Sequence, residues 1–255
     1  MSLSFILGLV GNITTGLVCL APVPTFWHIV KKRSTEEFES IPYIFQLVNG
    51  CFWTYYGIVK PNSIVVATVN GFSVALMTIY VVIFLVFAPL KMKVRTIVLA
   101  VTFDIVFPLV AISLSVLILD REMQISTAGL LSAIFSMIAY GSPLSAMKTV
   151  IITKSVEYMP FTLSFLLSVN GGVWTVYSIL TKDIYIGIPN VTGLGLGIFQ
   201  LLLYAMYWKP KKVSSIDGNG IAVGAGDLED GIAVHEPLLL PNSPATPKQE
   251  NIDEQ

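Results

Sequence analysis

Charge is scarce in this 255-residue chain. Asp, Glu, Lys and Arg make up 12 % of it, against about 25 % in a soluble domain. That deficit argues against a soluble enzyme and against a nucleic-acid binder, which needs a basic face. Cysteine is scarce too. Cys19 and Cys51 both sit in apolar stretches, which excludes a disulfide framework and reads as two reduced, buried side chains. The histidines are His28 and His235 alone, so no metal-ligand spacing exists, and no cofactor is expected. No basic segment precedes the first apolar run, so Leu3 to Trp27 reads as a span rather than a cleavable signal. What is abundant is apolar: 54 % of the residues, with a mean hydropathy of +0.76. A soluble fold cannot hide that much apolar surface from water, so the sequence predicts a polytopic, all-α membrane protein.

A bilayer-crossing helix needs about 20 mostly apolar residues. Seven stretches qualify: 3–27, 43–59, 64–88, 97–119, 127–149, 161–180 and 184–208. Basic residues orient them. Lys31, Lys32, Arg33, Lys91, Lys93, Arg95, Lys148 and Lys154 fall on one side with Lys209, Lys211, Lys212 and Lys248. Lys60, Arg121 and Lys182 fall on the other, a split of 12 to 3. The positive-inside rule then puts the C-terminus in the cytosol and the N-terminus outside or in a lumen. Residues 213–255 carry eight acids against one base, a formal −7. With no helical period they read as a disordered tail.

The chain repeats itself. Residues 48–58, VNGCFWTYYGI, match 169–179, VNGGVWTVYSI, at seven of eleven positions and an offset of 121. The same offset relates Pro22 to Pro143 and Ser34-x-Glu36 to Ser155-x-Glu157. Asn70 precedes Asn190 by 120, and Pro42 precedes Pro160 by 118. Each copy holds three spans. Three is odd, so direct fusion would invert the second copy, and the extra fourth span restores a parallel orientation. The predicted organisation is a first three-helix repeat over 1–90, a linker helix with its flanks over 91–122, a second repeat over 123–210 and a tail over 211–255. Parallel repeats are related by an axis along the membrane normal, with the solute site between them near the midplane.

Uncharged polar residues inside spans mark candidate contacts. Asn offers a donor and an acceptor without charge, and Trp a broad apolar face. That pairing suits an uncharged solute with both polar and apolar faces. Asn49 with Trp53 and Asn170 with Trp174 recur at a spacing of four, on one helix face. Asn70 and Asn190 are duplicated as well. The competing reading is inter-helix hydrogen bonding by Asn and core packing by Trp. Pro22 and Pro143 fall inside spans, where a missing N–H can kink a helix. Pro42 and Pro160 start spans, where proline costs little.

These features together resemble the plant SWEET sugar transporters, along residues 1–210 and in both repeats. The resemblance rests on LAPVPTFWHIVKKRSTEEFESIPY, TVNGF, MIAYGSPLSAMKTV, TKSVEYMPF and IPN. It implies a 3+1+3 bundle that carries mono- and disaccharides (glucose, fructose and, as a further candidate, sucrose) downhill by alternating access. It implies pocket residues Asn70, Asn190, Trp53 and Trp174, with Val18, Asn49, Ile138 and Asn170 lining the pocket and tuning sugar size. It makes Pro22, Pro42, Pro143 and Pro160 a flexing tetrad at the cytosolic mouth, and Tyr56 and Asp183 an outer gate. Taken alone, Tyr56 reads as an interfacial anchor and Asp183 as a solvated loop acid. Self-association, or association with related transporters, is also implied. FWHIVKKRSTEEF, WTYYGIV, YGSPLSAMKTV and the tail EPLLL look most like the vacuolar branch, with the plasma membrane as the alternative. Glu236-Pro237-Leu238-Leu239-Leu240 resembles an acidic dileucine address.

Asp104 is the one acid well inside a span. An intramembrane carboxyl is a functional candidate by default, and proton coupling is the sharp version. Yet span 4 lies outside the repeat, and no second acid or histidine stands ready as a relay, so downhill uniport is favoured. The rivals are a proton-coupled carrier of sugars or amino acids and a seven-span receptor. The 121-residue duplication argues against the receptor. The sequons at Asn12 and Asn190 fall inside spans, and the Gly193–Gly197 run reads as close helix packing rather than a phosphate loop.

Overall fold

The computed structural model describes residues 3–208 apart from 37 and 158, and every regular element among them is helical. In order these are α1 (Leu3–Leu20), α2 (Val23–Lys32), α3 (Ile41–Val59), α4 (Ile64–Phe87), α5 (Leu90–Ala100), a π-helical segment (Val101–Val106), α6 (Phe107–Ile118), α7 (Arg121–Ala139), α8 (Gly141–Thr153), α9 (Phe161–Thr181) and α10 (Ile184–Tyr207). They form seven rods, with α1–α2, α5–α6 and α7–α8 each making one. Six are long and apolar enough to cross a bilayer. The seventh, α3, has 19 residues, enough for about 28 Å. It is less apolar because it carries Gln46, Asn49, Thr54 and three tyrosines. Asn49 and Tyr56 of that set are buried.

The rods outrun the apolar stretches at one end. The first continues to Lys32, the fourth begins at Leu90 and the fifth ends at Thr153. Hydropathy marks where lipid stops, whereas a helix continues as long as its backbone bonds hold. Lys31 and Lys32 in the last turn of α2 also complement its dipole. The end of the bundle that carries Lys31, Lys32, Lys91 and Lys154 is called the basic end below.

The two halves share one plan. In the first, α4 lies between α1–α2 and α3. In the second, α10 lies between α7–α8 and α9. The halves meet where α1 packs on α9 and α3 packs on α7. A two-fold that exchanges the halves turns each of these contacts into the other. The pieces of the fourth rod lie outside this plan, mainly against α3.

The repeated motifs have local causes. Ser34 Oγ accepts the Glu36 N–H at 3.1 Å, and Ser155 Oγ accepts the Glu157 N–H at 3.3 Å. The preceding Arg33 and Lys154 close their helices in left-handed backbone, at φ 52° and 55°. Ser-x-Glu is therefore a turn, copied with its half. The first rod breaks at Ala21–Pro22: Pro22 offers no N–H to the Val18 carbonyl, which takes the Ala21 N–H at 3.2 Å instead. The fifth rod breaks at Tyr140, three residues before Pro143. Pro42 sits in the first turn of α3 and Pro160 just before α9, where no helical bond is lost. Pro108 likewise offers no N–H to the Asp104 carbonyl. The helix widens there, and the Phe107 N–H reaches back five residues to Thr102. The tail, with Glu236–Leu240, lies outside the described residues.

Candidate functional site

A cavity of about 170 Å³ lies between the halves. Asn49, on its wall, is eight residues into α3, about 12 Å along that helix and near its middle. Six of the eight expected pocket residues line it: Asn49, Trp53, Asn70, Asn170, Trp174 and Asn190. Thr15, Ser136 and Tyr140 complete the polar wall with Gln46.

The wall is built from one motif used twice. The Trp53 indole N–H donates to Ser136 Oγ at 3.0 Å, and Ser136 donates to Asn49 Oδ1 at 3.1 Å. The Trp174 indole N–H donates to Thr15 Oγ1 at 2.9 Å, and Thr15 donates to Asn170 Oδ1 at 2.8 Å. Each chain crosses from one half to the other. Thr15 and Ser136 are themselves 121 residues apart. The copies differ in one respect: the single Thr14 hydroxyl proton can serve Asn170 Oδ1 at 2.8 Å or the Gly11 carbonyl at 3.0 Å.

These bonds fix which way each amide faces. Asn49 and Asn170 spend their oxygens on hydroxyls and keep their N–H₂ groups for the cavity. Asn70 and Asn190 do the reverse. Their nitrogens donate to the carbonyls of Val66 (2.9 Å) and Ile186 (2.8 Å), each one turn back. Their oxygens remain as acceptors. The cavity thus presents two donors and two acceptors in a two-fold arrangement, without charge, beside two indole rings. A polyhydroxylated ring is the complementary ligand.

One end of the cavity is sealed. Trp53 packs edge-on to Tyr56 at 5.4 Å and Trp174 to Tyr177 at 5.2 Å, within a core that also holds Val65, Val66 and Ile186. Gly11 lets the Trp174 ring approach, since a Cβ there would lie 2.8 Å from it. Beyond this layer, the Tyr56 hydroxyl meets both Asp183 oxygens at 2.9 and 2.8 Å, and Lys60 donates to Tyr56 and to Asp183. Asp183 also caps α10 by accepting the N–H groups of Tyr185 and Ile186. The expected pair Tyr56–Asp183 is thus one cluster with Lys60, tying α3 of one half to α10 of the other. At the basic end, α2 packs chiefly on α4, and α8 on α10 and α7. Each stays with its own half, and the halves separate there.

Two expected residues do not line the cavity. Val18 is half-buried on α1. Ile138 is 49 % exposed on the outer face, like Leu17, its equivalent at the 121 offset. That offset pairs Val18 with Ala139, and Ala139 does line the cavity. The four prolines lie outside the wall, at the breaks and helix starts described above. Asp104 does not line the cavity; it lies in the π segment beside Val48 and Cys51 of α3, with both carboxyl oxygens buried and without a hydrogen-bond partner. Sequence reasoning missed Thr15 and Ser136, along with Gln46, Tyr140 and Lys60. The first two were findable at the repeat offset. Lys60 was not, because Thr181 stands at its equivalent.

Comparison with known proteins gives the following. Residues 5–92 and 126–212 match a family described as sugar efflux transporter for intercellular exchange. Bidirectional sugar transporter SWEET17 of Arabidopsis thaliana is 47 % identical over 238 residues, covering 92 % of this chain and 98 % of that protein. SWEET16 of the same plant is 44 % identical, covering 93 % and 98 %. Among solved structures, a eukaryotic SWEET transporter superposes with a TM-score of 0.77 at 37 % identity, covering 80 % of this chain and 96 % of that one.

Proposed function

Because the chain belongs to the SWEET family of sugar transporters, we propose that it is a bidirectional uniporter of glucose and fructose, with sucrose as a further candidate, in the vacuolar membrane. It is a transporter and not an enzyme. The observation that carries the reading is the doubled Trp–hydroxyl–Asn chain around an uncharged cavity at mid-depth. The halves 1–90 and 123–210 rock about that cavity, with 91–122 as the linker. Pro22 and Pro143 serve as hinges, since both rods break beside them. The basic end faces the cytosol by the positive-inside rule, so this conformation opens inward. The tail and its dileucine address then lie in the cytosol. Vacuolar placement is supported by the resemblance of FWHIVKKRSTEEF, WTYYGIV and YGSPLSAMKTV to the vacuolar branch. Association into oligomers of its own kind or with related transporters is part of the same proposal.

Uptake of labelled glucose, fructose and sucrose into liposomes holding the purified chain tests the reading. Equilibration without accumulation is the expected result. The buried, unpartnered Asp104 favours one second reading, proton-coupled transport. No charged residue is among those lining the cavity, Asp104 included, which supports uniport. Asp104→Asn should leave equilibration intact. Accumulation driven by a pH gradient and abolished by that variant would establish coupling instead.

The two hydroxyls of the wall should respond unequally. Ser136→Ala strips Asn49 Oδ1 of its donor, whereas after Thr15→Val the Asn170 oxygen still has the Thr14 hydroxyl within reach, once its proton turns from the Gly11 carbonyl. A stranded buried acceptor costs about 1–3 kcal/mol. Initial glucose uptake at limiting concentration should therefore fall roughly tenfold for Ser136→Ala and distinctly less for Thr15→Val. Equal losses would show that Thr14 does not hold Asn170 by itself.

A further inference from the structure

The two halves are not built alike beside the cavity, and one pair of equivalent positions in each half shows it. At the break in the fifth rod stands Tyr140, at the repeat offset from Cys19. The α10 position it faces is Gly193, at the third-rod offset of 120 from Ser73. The pairs correspond in space as well as in sequence. Cys19 Sγ lies 3.4 Å from Ser73 Oγ in the first half. In the second, a Cβ on Gly193 would lie 2.5 Å from the Tyr140 hydroxyl and 3.1 Å from its ring. One half uses two small side chains, the other one large side chain over none. Tyr140 lines the cavity and Cys19 does not.

The Tyr140 hydroxyl donates to the carbonyl of Pro189, next to Asn190. The ring is thus anchored on α10 beside a proposed sugar contact. It fits there because residue 193 has no side chain. Any side chain at 193 would force the ring to move, and a short side chain at 140 would leave its space open. We propose that the Tyr140–Gly193 pair fixes the size of sugar this cavity admits, restricting it toward monosaccharides. The inference rests on the sugar-transport reading above.

The test is a graft between halves, read in liposomes as the ratio of sucrose to glucose uptake. Tyr140→Cys with Gly193→Ser gives the second half the first half's pair. The ratio should rise about tenfold, the scale on which a pocket discriminates by size. Tyr140→Phe keeps the ring and loses only its bond to Pro189, so it should shift the ratio distinctly less than the graft does. Gly193→Ala alone, with Tyr140 in place, should lower glucose uptake. Adding Tyr140→Cys should restore it, the coupling expected of two positions in contact, and the sucrose-to-glucose ratio is the readout that packing alone would not move. If the graft does not fold, the reciprocal graft Cys19→Tyr with Ser73→Gly decides, by narrowing the first half and depressing glucose uptake. An unchanged ratio in a folded graft that still moves glucose overturns this inference and leaves the sugar reading intact. Failure of both grafts to fold would assign the pairs to packing and overturn it as well. If the wild-type chain moves no sugar, the sugar reading itself has failed.

Discussion

Replacing Asp183 by Ala is expected to open the sealed end of the bundle and to cut sugar flux at least tenfold. The carboxylate side chain is 1 % exposed and serves the Tyr56 hydroxyl, the Lys60 ammonium and two backbone N–H groups of α10. Removing one partner of a buried ion pair costs about 3–5 kcal/mol, and losing the cap about 1 kcal/mol more. Most of that cost falls on the state closed at this end, because the cluster joins α3 to α10 only there. A bias of about 3 kcal/mol shifts a two-state population roughly 100-fold. The check is liposome flux together with a cysteine probe at Val66, on the cavity wall, with Cys19 and Cys51 replaced by Ser. An impermeant maleimide applied from the Lys60 side should label the probe in Asp183→Ala and not in its parent. Lys60→Ala should do less, since Asp183 keeps Tyr56 and its capping bonds. Continued protection of the probe in Asp183→Ala would place the seal in the Trp53–Tyr56 and Trp174–Tyr177 layer alone.

The repeat made much of this site legible. Because a duplicated fold places equivalent residues at equivalent points, Asn49–Trp53 and Asn170–Trp174 could be paired from the chain alone, and all four line the cavity. The same logic was applied unevenly. Thr15 and Ser136 share the offset but not the residue type, so a search for identities passed over them. Ile138 came from resemblance to a family rather than from the offset. The offset gives Ala139, and one residue on a helix is a turn of 100°, enough to exchange cavity for outer surface. Lys60 was weighed only as a charge that orients the bundle. Its bond to Asp183 depends on how α3 and α10 approach, which no local pattern encodes. The π segment has a local cause in Pro108, yet a proline there predicts disruption without saying which form it takes.

Asn70 and Asn190 should show their worth when removed together. Each points an amide oxygen into the cavity while its nitrogen bonds a carbonyl one turn back. That carbonyl is also within reach of the helix's own backbone N–H, so truncation to Ala takes little from the fold. What it removes is an acceptor for a sugar hydroxyl, worth about 0.5–1.5 kcal/mol in a neutral pair. Each single variant should therefore lower initial glucose uptake at limiting concentration by roughly 2- to 12-fold, with normal yield and a single peak on size exclusion. The two residues sit on α4 and α10, in different halves. If one sugar bridges them, the double variant should lose roughly 10- to 100-fold, close to the product of the singles. Losses that do not compound would mean that the sugar contacts one half at a time, and that the halves hand it over rather than hold it jointly. Wild-type uptake in the double variant would take both asparagines out of the binding wall. The amide donors of Asn49 and Asn170 would then have to hold the sugar without opposed acceptors.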